Sequence, residues 1–171
     1  YDCRFAGLNA RMPELSAIIG RRSLALLDQI AESRNRQAAL YRAELSKIPG
    51  LEFISVRADD RCSYKDFSIV VDADRFGATR DELADALADH RIDTRKYYDP
   101  PVHRQSAFQE YHRRGTPLVH TDRLSACSLS LPMGPQVSDE GILRVCTAIQ
   151  QVHERRTSAA AAAEVAVSAT E

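Results

Sequence analysis

Apolar residues recur at helical spacing from the start of the chain: Leu15, Ile19, Leu26, Ile30, Tyr41 and Leu45, with Arg, Gln and Glu between them. A period near 3.6 places them on one stripe and the polar residues opposite. Pro13 stands where a first-turn proline fits, because its fixed φ suits a helix and its absent N–H has no bond to lose there. "IPG" at 48–50 ends the pattern. The spacing predicts one amphipathic helix of about 33 residues, ~50 Å long at about 1.5 Å per residue. A helix of that length in a small domain more often bridges layers or packs against something larger.

The period then changes. "LEFISV" (51–56) and "DFSIVVD" (66–72) are rich in β-branched and aromatic residues and read as strands joined by the polar turn "RADDRCSYK". Thr79, with Glu82 three positions on, forms a capping-box signature for a helix through His90 with Leu83, Ala86 and Leu87 inward. "RIDT" (91–94) is a candidate return strand, and "YYDPPVH", with its proline pair, an irregular extended loop. Residues 106–113 read as a short helix with Phe108 and Tyr111 on one side, and "SACSLSLP" (125–132) alternates as a strand. Ser138 caps a last helix with Ile142, Val145, Cys146, Ile149 and Val152 on its buried stripe. The order predicts an α+β fold, in which a long N-terminal helix and further helices pack on a small, largely antiparallel sheet. It divides the chain into a domain over 1–153 and an Ala-rich, low-complexity tail over 154–171 that is expected to be disordered.

Length and composition narrow the function classes. At 171 residues, one domain with a real core is the expectation. The balance of 23 basic and 24 acidic residues gives no field that favours nucleic acid. Cys3, Cys62, Cys127 and Cys146 form no CxxC pair, and His90, His112, His120 and His153 show no metal-ligand spacing, so no metal or redox site is expected and the thiols read as buried or idle. No 18-residue apolar run or leader is readable, which predicts no membrane span and a cytoplasmic protein. GxSxG, HExxH and P-loop motifs do not occur.

Two segments carry candidate chemistry. In "GLNARM" (7–12), Gly7 permits a sharp approach, Asn9 offers an amide, and Arg11 a fork of donors suited to phosphate or carboxylate, just ahead of a helix N-terminus. An ordinary turn, with Asn9 bonding its own backbone, accounts for the same spacing. In "DTRKYYDPPVHRQSAFQEY" (93–111), Tyr97 and Tyr98 can line a pocket and His103 can donate to a polar ligand group. The alternative is a rigid surface loop whose tyrosines fill a core edge. Lysine is scarce, at Lys47, Lys65 and Lys96, and Lys96 in its charged loop reads as solvated.

Taken together, "GLNARMPELSAIIGRRSLALLDQI", "YKDFSIVV", "RIDTRKYYDPPVH" and "LSLPMGPQVSDEGILRVCTAI" resemble, in order and spacing over residues 1–153, the C-terminal part of the DegT/StrS-type nucleotide-sugar aminotransferases. These are fold type I enzymes of the aspartate aminotransferase superfamily that use pyridoxal phosphate (PLP). The resemblance implies amino transfer from glutamate to a nucleotide-linked keto-deoxysugar, in a homodimer whose sites lie at the subunit interface. It gives Asn9, with Arg11 beside it, the cofactor phosphate of the neighbouring subunit, and puts Tyr97, Tyr98 and His103 at the border of the sugar-nucleotide site. In the family the Schiff-base lysine sits in a large N-terminal domain, and none of the three lysines matches it. The chain is therefore expected to be inactive alone, with no catalytic residue of its own. A rival reading is a non-catalytic domain that assembles with a full-length homologue. With no large domain to cover it, the long helix is expected to expose an apolar face.

Overall fold

The computed structural model describes residue 7 and residues 10–168, without the side chains of 112–114, 160, 161 and 163–168. Where the spacing predicts one long helix, the chain forms two: α1 (Glu14–Ala25) and α2 (Leu27–Leu45). At the break Ser23 Oγ donates to the Ile19 carbonyl at 3.0 Å, and the Leu26 N–H bonds only three residues back, to Ser23, at 3.1 Å. Hydroxyl back-bonds of this kind bend helices, and the tightened turn interrupts the regular ladder. The apolar stripe divides at the same point. α2 buries Ala38, Tyr41 and Leu45, whereas α1 buries nothing and leaves Leu15, Ile18 and Leu24 at 67–71% exposure.

β1 (Leu51–Phe53), β2 (Phe67–Val71) and β3 (Ser128–Leu131) form a three-stranded antiparallel sheet in that order, with Phe53 opposite Ile69 and Phe67 opposite Leu131. The small antiparallel sheet is as the pattern predicts, and β1 is shorter than its apolar run, with Ile54 outside it and exposed. Alternation sends Phe67, Ile69, Val71, Leu129 and Leu131 to one buried face. That face shares a core with α2, with α4 (Arg80–Asp89) through Leu83 and Leu87, and with α7 (Asp139–Ser168) through Ile142, Val145 and Ile149. Tyr41 joins the layers: its ring stacks on Phe67 at 5.0 Å between centroids and its hydroxyl donates to the Pro132 carbonyl at 2.7 Å. Burial pushes the Tyr41 phenol well above its usual range, which keeps it a neutral donor.

Shorter elements complete the frame. Asp72 accepts from the N–H groups of Asp74 and Arg75 and so caps α3 (Ala73–Phe76). Gly50, at φ 82°, lies against it: a Cβ there would stand 2.4 Å from the Phe76 nitrogen, so no other residue fits. The capping box of α4 is present, Thr79 Oγ accepting from Glu82 N–H and Glu82 Oε2 from Thr79 N–H. On the inward face of α4, Ala84 is buried and Ala86 half-buried. "RIDT" forms no strand: Arg91, at φ 57°, ends α4, and the return makes a single bridge between Arg95 and Ser130.

α5 (Gln109–Arg114) and α6 (Val119–Cys127) follow, so residues 125–127, which alternation assigns to a strand, are the last turn of α6. α6 leaves Val119 and Leu124 exposed, so no helical period marks it in the sequence. The stripe of α7 is buried as its spacing predicts, and the helix continues to Ser168 through the Ala-rich segment, where the composition predicts an irregular tail. Alanine propagates a helix by propensity alone; all of 154–159 is exposed.

Gln37 is buried at 2% exposure and holds α2 to the turn before α7. Its amide donates to the carbonyls of Gly134 (3.0 Å) and Val137 (2.8 Å) and accepts from Gly134 N–H at 3.1 Å. Gln37→Leu strands these groups and is expected to lower unfolding free energy by about 1–3 kcal/mol in urea denaturation; an unchanged midpoint would show that they find other partners. The uncovered stripe of α1 is expected to drive self-association. Leu15→Glu with Ile19→Glu, one turn apart, should reduce it in sedimentation without lowering Tm, and a fall in Tm would mean that α1 packs on the domain after all.

Candidate functional site

Several exposed apolar side chains converge on one place. Tyr97, Tyr98, Phe108, Tyr111, Leu118 and Leu124 line an open groove of about 560 Å³, with His103 in its wall. The Tyr97 and Tyr98 ring centroids are 5.2 Å apart and tilted by 48°. An apolar, aromatic concavity with a few fixed polar groups is the usual form of a small-molecule site. The structure thus brings together three of the residues singled out in the sequence: Tyr97, Tyr98 and His103. "YYDPPVH" is irregular, as its proline pair predicts.

The loop that carries the tyrosines is bonded at Asp99 by a residue that the sequence patterns pass over. Arg80, in the first turn of α4, is 3% exposed. Its guanidinium donates to Asp99 Oδ2 at 2.7 Å and to the carbonyls of Ser125 (3.1 Å) and Ser128 (3.2 Å). Its Nε lies 2.8 Å from Asp81 Oδ1, an ion-pair distance without hydrogen-bond geometry, and has no hydrogen-bond partner. Ser125 Oγ donates to the Tyr98 carbonyl at 2.6 Å, and Lys96 pairs with Asp81. One signal was available: a cation at a helix N-terminus opposes the helix dipole, so Arg80 needs a compensating reason to be there.

The polar wall is equally fixed. His103 and Arg104 lie in a short 3₁₀ turn, Val102–Arg104, and both reach Asp122 of α6. His103 Nε2 is 2.8 Å from Asp122 Oδ1, while Arg104 donates through Nε to Oδ1 at 2.6 Å and through its terminal nitrogen to Oδ2 at 2.7 Å. The hydrogen bonds from Arg104, and then from His103, hold the Asp122 carboxyl down to about 2 against a partial desolvation that raises it. An ionised carboxylate only accepts, so Nε2 carries the proton in this contact. An imidazole held this way can orient a polar group of a ligand in an otherwise apolar groove.

Other expectations fare differently. Asn9 lies outside the described residues; Arg11 is exposed ahead of α1 and does not line the groove. No cluster of ligating side chains that could hold a metal occurs among the described residues. Burial pushes the Cys146 thiol up to about 12, which leaves it protonated and inert. A lysine that holds PLP must sit desolvated beside the ring. Here Lys47 is exposed, Lys65 is 81% exposed near Asp66, and Lys96 is tied to Asp81. The described residues therefore do not fit covalent attachment of the cofactor.

Comparison with known proteins gives one family. The profile of the DegT/DnrJ/EryC1/StrS aminotransferase family matches residues 1–150. The chain is 30% identical over 155 residues to the dTDP-3-amino-3,4,6-trideoxy-alpha-D-glucose transaminase of Streptomyces venezuelae, covering 91% of this chain and 39% of that one. It is 28% identical over 154 residues to the spore coat polysaccharide biosynthesis protein SpsC of Bacillus subtilis, covering 89% and 39%. Among solved structures, S. venezuelae DesV in complex with a ketimine intermediate superposes with a TM-score of 0.78 at 29% identity, over 90% of this chain and 40% of that one. The chain thus spans about 39–40% of the length of these relatives.

Asp122 makes the wall pH-dependent with a definite sign. Its folded pKa lies below the ordinary value of about 3.9, so its contribution to stability is complete above that value and is lost as pH falls toward about 2. Asp122→Asn is expected to flatten the fall in Tm between those limits. Parallel profiles for the two proteins would mean that the pairing contributes nothing.

Proposed function

The chain belongs to the DegT/DnrJ/EryC1/StrS aminotransferase family, whose cofactor is pyridoxal phosphate, and on that premise we propose that it is the C-terminal portion of a sugar aminotransferase. The observation that carries this reading is the groove of Tyr97, Tyr98 and His103, which lies within the segment matched to the family and has the aromatic walls and fixed polar group that a sugar nucleotide needs. In this reading the complete enzyme moves an amino group from glutamate to a nucleotide-linked keto-deoxysugar. Tyr97 and Tyr98 pack against the ligand's rings while His103, oriented by Asp122, makes a hydrogen bond to one of its polar groups.

Asn9 and Arg11 take the cofactor phosphate of the neighbouring subunit in a homodimer. Residues 1–153 form the working unit and 154–171 an appendage. The placement of Lys47, Lys65 and Lys96 supports a chain that is catalytically incomplete alone, with the imine-forming lysine in another part of the enzyme. None of the described helices is long and apolar enough to cross a membrane, which accords with a cytoplasmic biosynthetic enzyme.

Two measurements test the reading. Titration with a nucleoside-diphosphate sugar is expected to shift the NMR signals of Tyr97, Tyr98 and His103 and to spare those of buried Tyr41. His103→Ala should weaken binding about 3- to 10-fold, the worth of one hydrogen bond; shifts confined to other regions would refute the groove as the sugar site. Incubation with PLP and borohydride should give no one-to-one adduct by intact mass. A single modified lysine would overturn the claim of incompleteness.

A further inference from the structure

We propose that the first turn of α4, Arg80 and Asp81, is a clamp that sets the Tyr97–Tyr98 pair, with Arg80 as the positioning residue of the groove. Its functional consequence rests on reading that groove as the sugar-nucleotide site. The two tyrosines are bracketed by opposite charges, Lys96 before them and Asp99 after. Each docks on the adjacent α4 residue of opposite sign, Lys96 on Asp81 and Asp99 on Arg80. A third bond, from Ser125 Oγ, fixes the Tyr98 carbonyl between them at 2.6 Å. The residues on both sides of the aromatic pair are therefore anchored by their side chains to one helical turn.

The opposite wall is referenced to the same group. The last carbonyls of a helix lack intrahelical partners, and Arg80 supplies donors to Ser125 of α6 and to Ser128 just after it. α6 carries Leu124 into the groove and Asp122 to His103. One guanidinium thus spans the end of α6 and the tyrosine loop, fixing the separation of the two walls. A planar fork reaches two carbonyls and a carboxylate at once; a single ammonium does not. Lysine at this position keeps the charge and loses the span, which separates positioning from mere charge balance.

The test uses the 171-residue chain and its Arg80→Lys, Asp99→Asn and doubly substituted forms, with tyrosine NMR, thermal unfolding and titration with dTDP-glucose as the probe. Both single variants are expected to move the signals of Tyr97 and Tyr98 while Tyr41 stays in place, and to weaken the probe about tenfold. The double variant should be no weaker than the worse single one, because both remove the same bond. Unmoved Tyr97 and Tyr98 signals with a lowered Tm would overturn the proposal and leave Arg80 a structural residue only, as would additive losses. If Arg80→Lys fails to fold, Asp99→Asn decides alone, since Asp99 is the exposed end of the pair. If the unaltered chain does not bind dTDP-glucose, the sugar-site reading fails, and the tyrosine signals still decide for or against the clamp.

Discussion

A guanidinium at 3% exposure is the constraint around which the groove is arranged. Charge removed from water is tolerated only where hydrogen bonds and an opposite charge replace hydration. Arg80 finds these in three separate places: a loop carboxylate, the end of a helix and the start of a strand. The demand of the cation and the orphan carbonyls of α6 answer each other. Without that exchange, α6, which buries only Ser125, has little apolar packing to hold it against the sheet. The N-terminal placement costs Arg80 about 0.3–1 kcal/mol against the helix dipole, small beside the several groups that would be left unpaired if it moved.

A different balance governs the N-terminal helices. α2 is held by Tyr41, Leu45 and Gln37, each meeting another layer, whereas α1 carries the same kind of apolar stripe and, among the described residues, buries none of it. Exposed side chains of this size, at helical spacing and on one element, are a surface suited to burial rather than scattered solvent-facing residues. The relatives are about two and a half times as long as the match.

Patterns of period 2 and 3.6 were legible wherever burial was one-sided. β2, the α4 capping box and the α7 stripe follow directly from Phe67, Ile69 and Val71, from Thr79 and Glu82, and from Ile142 to Val152. Three features were not legible, each for a physical reason. The break at Leu26 depends on a hydroxyl bonding back one turn, which leaves the periodicity intact. α6 is set by polar contacts, so no apolar stripe announces it, and its last turn mimics a strand because Ser and apolar residues alternate there by chance. The partners of Arg80 lie 19 to 48 residues away, beyond any local pattern. Tyr97, Tyr98 and His103 stand out in the sequence because aromatic, proline and histidine chemistry is concentrated in one short segment; the bonds that orient them do not.

That difference bears on how such a groove can vary among relatives. Residues that touch a ligand are read from their own chemistry and can change with the ligand. A residue like Arg80 is fixed by what it holds in register, since changing it disturbs both walls at once. The groove therefore separates two kinds of change: altered size or polarity at Tyr98, Phe108 or Leu124 reshapes its volume locally, whereas loss of the Arg80 span shifts the walls relative to each other. Selectivity can be retuned through the first set only while the second is kept, because rim contacts discriminate between ligands only when the geometry behind them is preorganised.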